Sequence, residues 1–184
     1  RNVFTPSEKI YSGSVINNVF VSKDQQTIIA ATSRGIYRYK NGIVTDSLIG
    51  YSYESNHSAF SDDGSYLVYE YDYDTIHLLD LTTKQLTIIK DVSSDENVLG
   101  IAHHNEFIIY GNTDTLIKAS LDGSIIKKYP LPIATDDVIN CVSISAKNNY
   151  LAAGTYNGDV CLTDLDTPIN KSNPSLLKPA NKSL

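Results

Sequence analysis

Phe60-Ser61-Asp62-Asp63-Gly64-Ser65-Tyr66-Leu67-Val68-Tyr69 is the stretch that decides the fold. An apolar residue and a serine open it, a polar turn comes next, and an apolar run starts six residues past the serine. The same phrase opens at Val21-Ser22, Ile101-Ala102 and Ile144-Ser145, so the four copies begin 39, 41 and 43 residues apart. A period near 40 residues made of short strands predicts an all-β chain folded as a β-propeller, with one four-stranded antiparallel blade per copy.

Outward from this phrase, second strands start at Ile28, Leu67, Ile108 and Leu151. Turn pairs come after them at Arg34-Gly35, Asp74-Thr75, Asp114-Thr115 and Asn157-Gly158. Gly enters φ > 0 freely, and Asp and Asn tolerate it or bond their own backbone, so these pairs suit tight hairpins. Third strands begin at Ile36, Ile76, Leu116 and Val160, and fourth strands are expected at 43–48, 86–89 and 124–129. Asn41-Gly42 and Asp122-Gly123 lead into the first and last of these. No segment keeps helical i, i+3, i+4 spacing of apolar residues for about ten residues.

The phrase resembles the WD40 family and related propellers whose blades carry an F-S-x-D-G turn. The best match is Phe60 to Gly64, followed by Tyr66-Leu67-Val68 and then Ile76-His77-Leu78-Leu79-Asp80-Leu81, and the resemblance covers roughly residues 13 to 165. Where that family places Trp this chain has Tyr39, Leu79, Ala119 and Thr163, and the next position is Asp only at Asp80 and Asp164. The usual His–Asp–Ser–Trp network therefore has no way to form, and packing must carry more of the stability.

Strand counting gives a leading outer strand in residues 1–12 (Glu-Lys-Ile-Tyr-Ser at 8–12) and repeats at 13–50, 51–92, 93–134 and 135–165. The last repeat lacks an evident outer strand, because Pro168, Pro174 and Pro179 punctuate the residues after its third strand and Pro has no ladder donor. Residues 166–184 read as a polar tail or linker. Two arrangements stay open: a closed four-bladed ring latched by the leading strand, or part of a larger ring, seven-bladed for example, completed by the parent chain or another subunit. A chain that starts at Arg1 and holds no Met reads as a piece of a longer protein.

A net charge of −6 with scattered positives argues against nucleic acid and anionic membrane as partners. No apolar run approaches a bilayer span and no signal peptide is evident. Cys141 and Cys161 fall in the first and third strands of the fourth copy, which do not adjoin, so two buried thiols are expected rather than a disulfide. That favours an intracellular setting, cytoplasmic or nuclear. The N-x-S triplets at Asn56, Asn170 and Asn181 point outward, with the small weight of a common pattern.

Candidate sites come from local chemistry. In Tyr69-Glu70-Tyr71-Asp72-Tyr73-Asp74, strand alternation puts Tyr69, Tyr71 and Tyr73 on one face and the acids on the other. This reads either as a rim that grips a basic peptide, or as a Tyr face packed between blades with the acids in solvent. Asp62 and Asp63 meet no calcium-loop spacing, and His103-His104 lacks a third ligand, so polar turns are expected and no metal or other cofactor. With no G-x-S-x-G elbow and no phosphate loop, the chain is not expected to be an enzyme.

The expected function is a protein–protein interaction scaffold for a protein or peptide partner. Binding is placed on Asp62, Asp63, Tyr71, Tyr73, His103 and His104, with Lys23 and Lys147 as rim charges. The alternatives are a sensory or assembly domain of a larger regulator, and an extracellular or periplasmic ligand-binding propeller.

Overall fold

Each copy of the repeat folds into one antiparallel sheet whose four strands adjoin in chain order. A computed structural model describes residues 15–41, 43–49, 57–72, 75–90, 92, 98–166 and 175–177. The first sheet holds β1 (Ile16–Val21), β2 (Thr27–Thr32), β3 (Gly35–Lys40) and β4 (Ile43–Ile49). The second holds β5 (Ser58–Phe60), β6 (Tyr66–Asp72), β7 (Thr75–Asp80) and β8 (Leu86–Ile89). The third holds β9 (Val98–Ile101), β10 (Ile108–Asn112), β11 (Thr115–Ala119) and β12 (Ile125–Pro130). The fourth holds β13 (Ile139–Ile144), β14 (Tyr150–Thr155), β15 (Val160–Asp164) and β16 (Ser175–Leu177). The chain is all-β, and among the described residues no helix is long and apolar enough to cross a membrane.

The repeat phrase marks the same structural event each time: Val21, Phe60, Ile101 and Ile144 are the last residues of the four first strands. One expectation is corrected. The tail does not simply lead away, because Ser175, Leu176 and Leu177 pair with Leu162, Cys161 and Val160 and form a fourth strand. The reason is positional: Pro174 and Pro179 flank the paired residues, so no ladder donor is missing. The leading strand expected at 8–12 lies outside the described residues.

Successive strand residues point to opposite faces, and the sheets use both. In β6, Leu67 and Tyr69 join Ile29, Ala31 and Ile36 in a core with the first sheet. Val68 points the other way and joins Ile108, Tyr110 and Ala119 in a core with the third sheet. The third sheet in turn sends Ile109 and Leu116 toward Leu151, Ala153 and Cys161 of the fourth. Three cores thus join neighbours in chain order, and among the described residues no core cluster joins the first sheet to the fourth. First strands also lie side by side, β1 on β5, β5 on β9 and β9 on β13.

The end sheets carry the pattern past these cores. Val21, Ile28, Tyr39 and Val44 are register partners across all four strands of the first sheet, on the face turned from the second. The edges of that row stay exposed, Val21 at 52% and Val44 at 50%, while Tyr39 at its centre is buried, only 2% exposed. On the fourth sheet, Cys141 pairs with Gly154 and Ser143 with Ala152, on the face turned from the third.

Cys141 consequently departs from expectation: it is exposed, while Cys161, which faces the third sheet, is buried, and both are free thiols. Burial, with Asp159 and Asp137 nearby, raises the Cys161 pKa. Native protein treated with a thiol reagent at neutral pH should therefore modify one cysteine quickly, and peptide mapping should find the label on Cys141. Rapid labelling of Cys161 would contradict this assignment.

Candidate functional site

The four first-to-second-strand turns share one geometry. The backbone N–H of Ser22, Ser61, Ala102 or Ser145 donates to the carbonyl five residues on, at 2.9 to 3.0 Å. Three residues past each of these lies Gln25, Gly64, Asn105 or Asn148, every one in the left-handed region with φ of 58°, 69°, 58° and 57°. A turn of this kind closes a hairpin tightly but strains any residue other than Gly or Asn at that corner.

Serine holds three of the turns from within. Ser22, Ser61 and Ser145 each accept a bond from the residue that starts the second strand, Thr27, Tyr66 and Tyr150, at 3.0, 2.9 and 3.0 Å. The same hydroxyls donate to Asp24, Asp63 and Asn149. The third turn has Ala102 and no side-chain cap, and it is the one tied to both neighbours. His103 Nδ1 bonds Asp62, and Asn105 Nδ2 donates to Asp63 Oδ2 at 3.1 Å and to Ser65 Oγ at 3.0 Å. On the other side, Asn148 Oδ1 accepts from the His103 N–H at 2.9 Å, and its Nδ2 donates to the His103 carbonyl at 2.7 Å.

The left-handed corner is thus a reaching position. Asn105 reaches the second sheet and Asn148 the third. Gly64 reaches the first by having no side chain, since a Cβ there would lie 2.4 Å from the Phe20 ring. The result is a linked rim. Asp63 is its most constrained charge: burial works to raise its pKa, but bonds from Ser65, Ser61 and Asn105 outweigh that and hold the carboxyl down from 3.8 to about 2.

Of the residues singled out from sequence, the rim brings together Asp62 with His103, and Asp63 with the neighbouring turn. Lys23, His104 and Lys147 are exposed on the same rim and make no hydrogen bond or ion pair among the described residues. Asn105, Asn148 and Ser65 were missed, although Asn and Gly at one offset in three copies is a signal for a left-handed corner. Among the described residues no group of three or more His, Cys, Asp or Glu could hold a metal ion.

The tyrosine ladder divides by burial rather than by face. Tyr71 stacks on His77, the register partner of Tyr69, so both rings lie on one side of the sheet across the bulge between Glu70 and Asp72. Tyr69 packs in the core with the first sheet, while Tyr71 is 50% exposed and stacks on His77 with ring centroids 4.4 Å apart. Glu70 lies neither on a rim nor in solvent: it is 6% exposed and accepts from His57 Nδ1 at 3.3 Å. Tyr73 lies outside the described residues. This cluster is at the far end of the second sheet from the linked rim.

Compared with models of known protein families and with curated proteins, the chain matches none.

Two glycine substitutions at equivalent corners should act in opposite directions. Gln25→Gly relieves strain and loses no contact, so it should stabilise by about 0.5–1 kcal/mol. Asn148→Gly keeps the backbone but removes both bonds to His103, and should cost about 1–2 kcal/mol. Urea unfolding of the two variants checks the pair; equal signs would contradict the reaching role. For Asp63, a depressed carboxyl contributes stability that is fully present above 3.8 and lost as pH falls toward about 2. The melting difference between wild type and Asp63→Asn should hold from neutral pH down to 3.8 and narrow below it.

Proposed function

We propose that the four sheets are blades of a WD40-like β-propeller, and that the chain is a scaffold presenting its linked rim to a protein or peptide partner. The observation that carries this reading is the cross-bonded row of turns. Turns whose backbones are held at fixed spacing by their neighbours need little ordering on binding, which favours a recognition surface. Asp63, His103, Asn105 and Asn148 hold the rim, leaving Lys23, His104 and Lys147 free to meet a partner. The reading assigns no catalytic role, and the two free thiols support an intracellular setting.

Of the closed four-bladed ring and the larger ring, we infer the larger. Gln25 keeps the left-handed corner through which Gly64, Asn105 and Asn148 each meet the preceding sheet. The row Val21, Ile28, Tyr39 and Val44 occupies the face through which each later sheet meets the one before it. Both features suit a further blade, from a longer chain or another subunit.

A photo-cross-linking residue placed at Lys23, His104 or Lys147 tests the rim. The control is Tyr156, 79% exposed in the hairpin at the opposite end of the fourth sheet. Adducts with one common partner are expected from the rim positions and not from Tyr156. Adducts at Tyr156 alone would contradict the proposal.

A further inference from the structure

A cleft of about 580 Å³ separates the first sheet from the turn of the second. Its floor is a row of register partners across all four strands: Phe20, Ile29, Arg38 and Asp46. Thr27 and Lys40, paired in the next row toward the turns, widen the floor, and the wall opposite is Asp63 and Gly64. Further along, the same sheet face is apolar core through Ala31, Ile36 and Leu48. The cleft therefore opens where the sequence changes from aliphatic to charged, beside the contact of the Phe20 ring with Gly64. Its volume is in the range of ligand-binding pockets.

The state of its four charges decides what it can take. Asp63 is saturated by Ser61, Ser65 and Asn105. Asp46 pairs with Lys84 at 3.3 Å. Arg38 uses one donor, to the Leu81 carbonyl at 3.3 Å, and Lys40 makes no hydrogen bond; neither has a carboxylate within 4.0 Å among the described residues. Asp24 feels Lys40 only as the least of its influences, being held first by Ser22. Both anions are engaged, while Arg38 keeps donors to spare and the Lys40 ammonium makes no hydrogen bond among the described residues. A dianion such as phosphate would sit against two carboxylates, whereas a single carboxylate is matched by a guanidinium and an ammonium beside an apolar floor.

We propose that this cleft binds a carboxylate carried by an extended partner peptide. Lys40 and Arg38 take the carboxylate, and the half-buried Phe20 ring takes an aliphatic neighbour. The partner is thus acidic at this point, in contrast to the basic peptide that the Tyr69-to-Asp74 ladder implied from sequence. The inference rests on the scaffold reading and assigns it a second contact, separate from the rim.

Amide NMR spectra of the whole chain titrated with N-acetyl-Leu-Glu-amide test it, with N-acetyl-Leu-Gln-amide and inorganic phosphate in parallel. The expected result is saturable shifts at Ser22, Thr27, Arg38, Lys40 and Gly64, with about tenfold weaker binding for the Gln peptide and for Lys40→Ala. Lys40→Arg should restore binding. Equal response to Glu and Gln, no change in Lys40→Ala, or saturation by phosphate but not by the peptide would overturn the proposal. Shifts confined to Lys23, His104 and Lys147 would also overturn it while leaving the scaffold reading intact. Cross-linking at Tyr156 alone would remove that reading without touching this titration.

Discussion

The packing of one sheet on the next, through alternate residues of each second strand, is what the rest of the structure depends on. A four-stranded sheet this small has little core of its own. Leu67 and Tyr69 face backward and Val68 faces forward, so the second sheet is buried from both sides. Each such side chain contributes roughly 1.5–3 kcal/mol by leaving water. A side-chain hydrogen bond adds about 1 kcal/mol, and an exposed pair such as Lys84 with Asp46 adds about 1 kcal/mol at most. Apolar contact therefore holds the sheets together, and the turn bonds decide how they are aligned.

That division of labour explains the rim. Stacked apolar faces are tolerant of small slides, whereas a bond from Asn148 to both backbone groups of His103 is not. The left-handed corner of each turn is strained for most residues, and the chain uses the strained position to reach the sheet before it. Where Ala102 replaces the serine that would stabilise a turn from within, bonds from both sides take over. Stability of the turn and register between sheets become the same property.

Much of the fold was legible because hydrophobic period and turn chemistry are local. The residues that end the four first strands and the starts of the second strands could be read within a residue or so. Less legible was whatever depended on a neighbour in space. The prolines near residue 174 hid β16, since only the position of β15 shows that they flank the pairing. Alternation puts Glu70 on the face opposite Tyr69, and only the third sheet packed on that face makes it buried. Cys141 and Cys161 look alike in sequence and differ only in which face their strands turn to the third sheet. Asp62, Asp63 and His103 were picked out one by one, but their linkage through Asn105 and Asn148 needed the turns side by side.

Native-state hydrogen exchange, resolved by residue, tests the packing claim most directly. If burial between two neighbours sets stability, amides of β6 and β10 should exchange slowest. Those of β2 and β14, each backed by one described neighbour, should exchange through earlier opening of an end sheet. Protection in β2 and β14 equal to that in β6 and β10 would contradict the account.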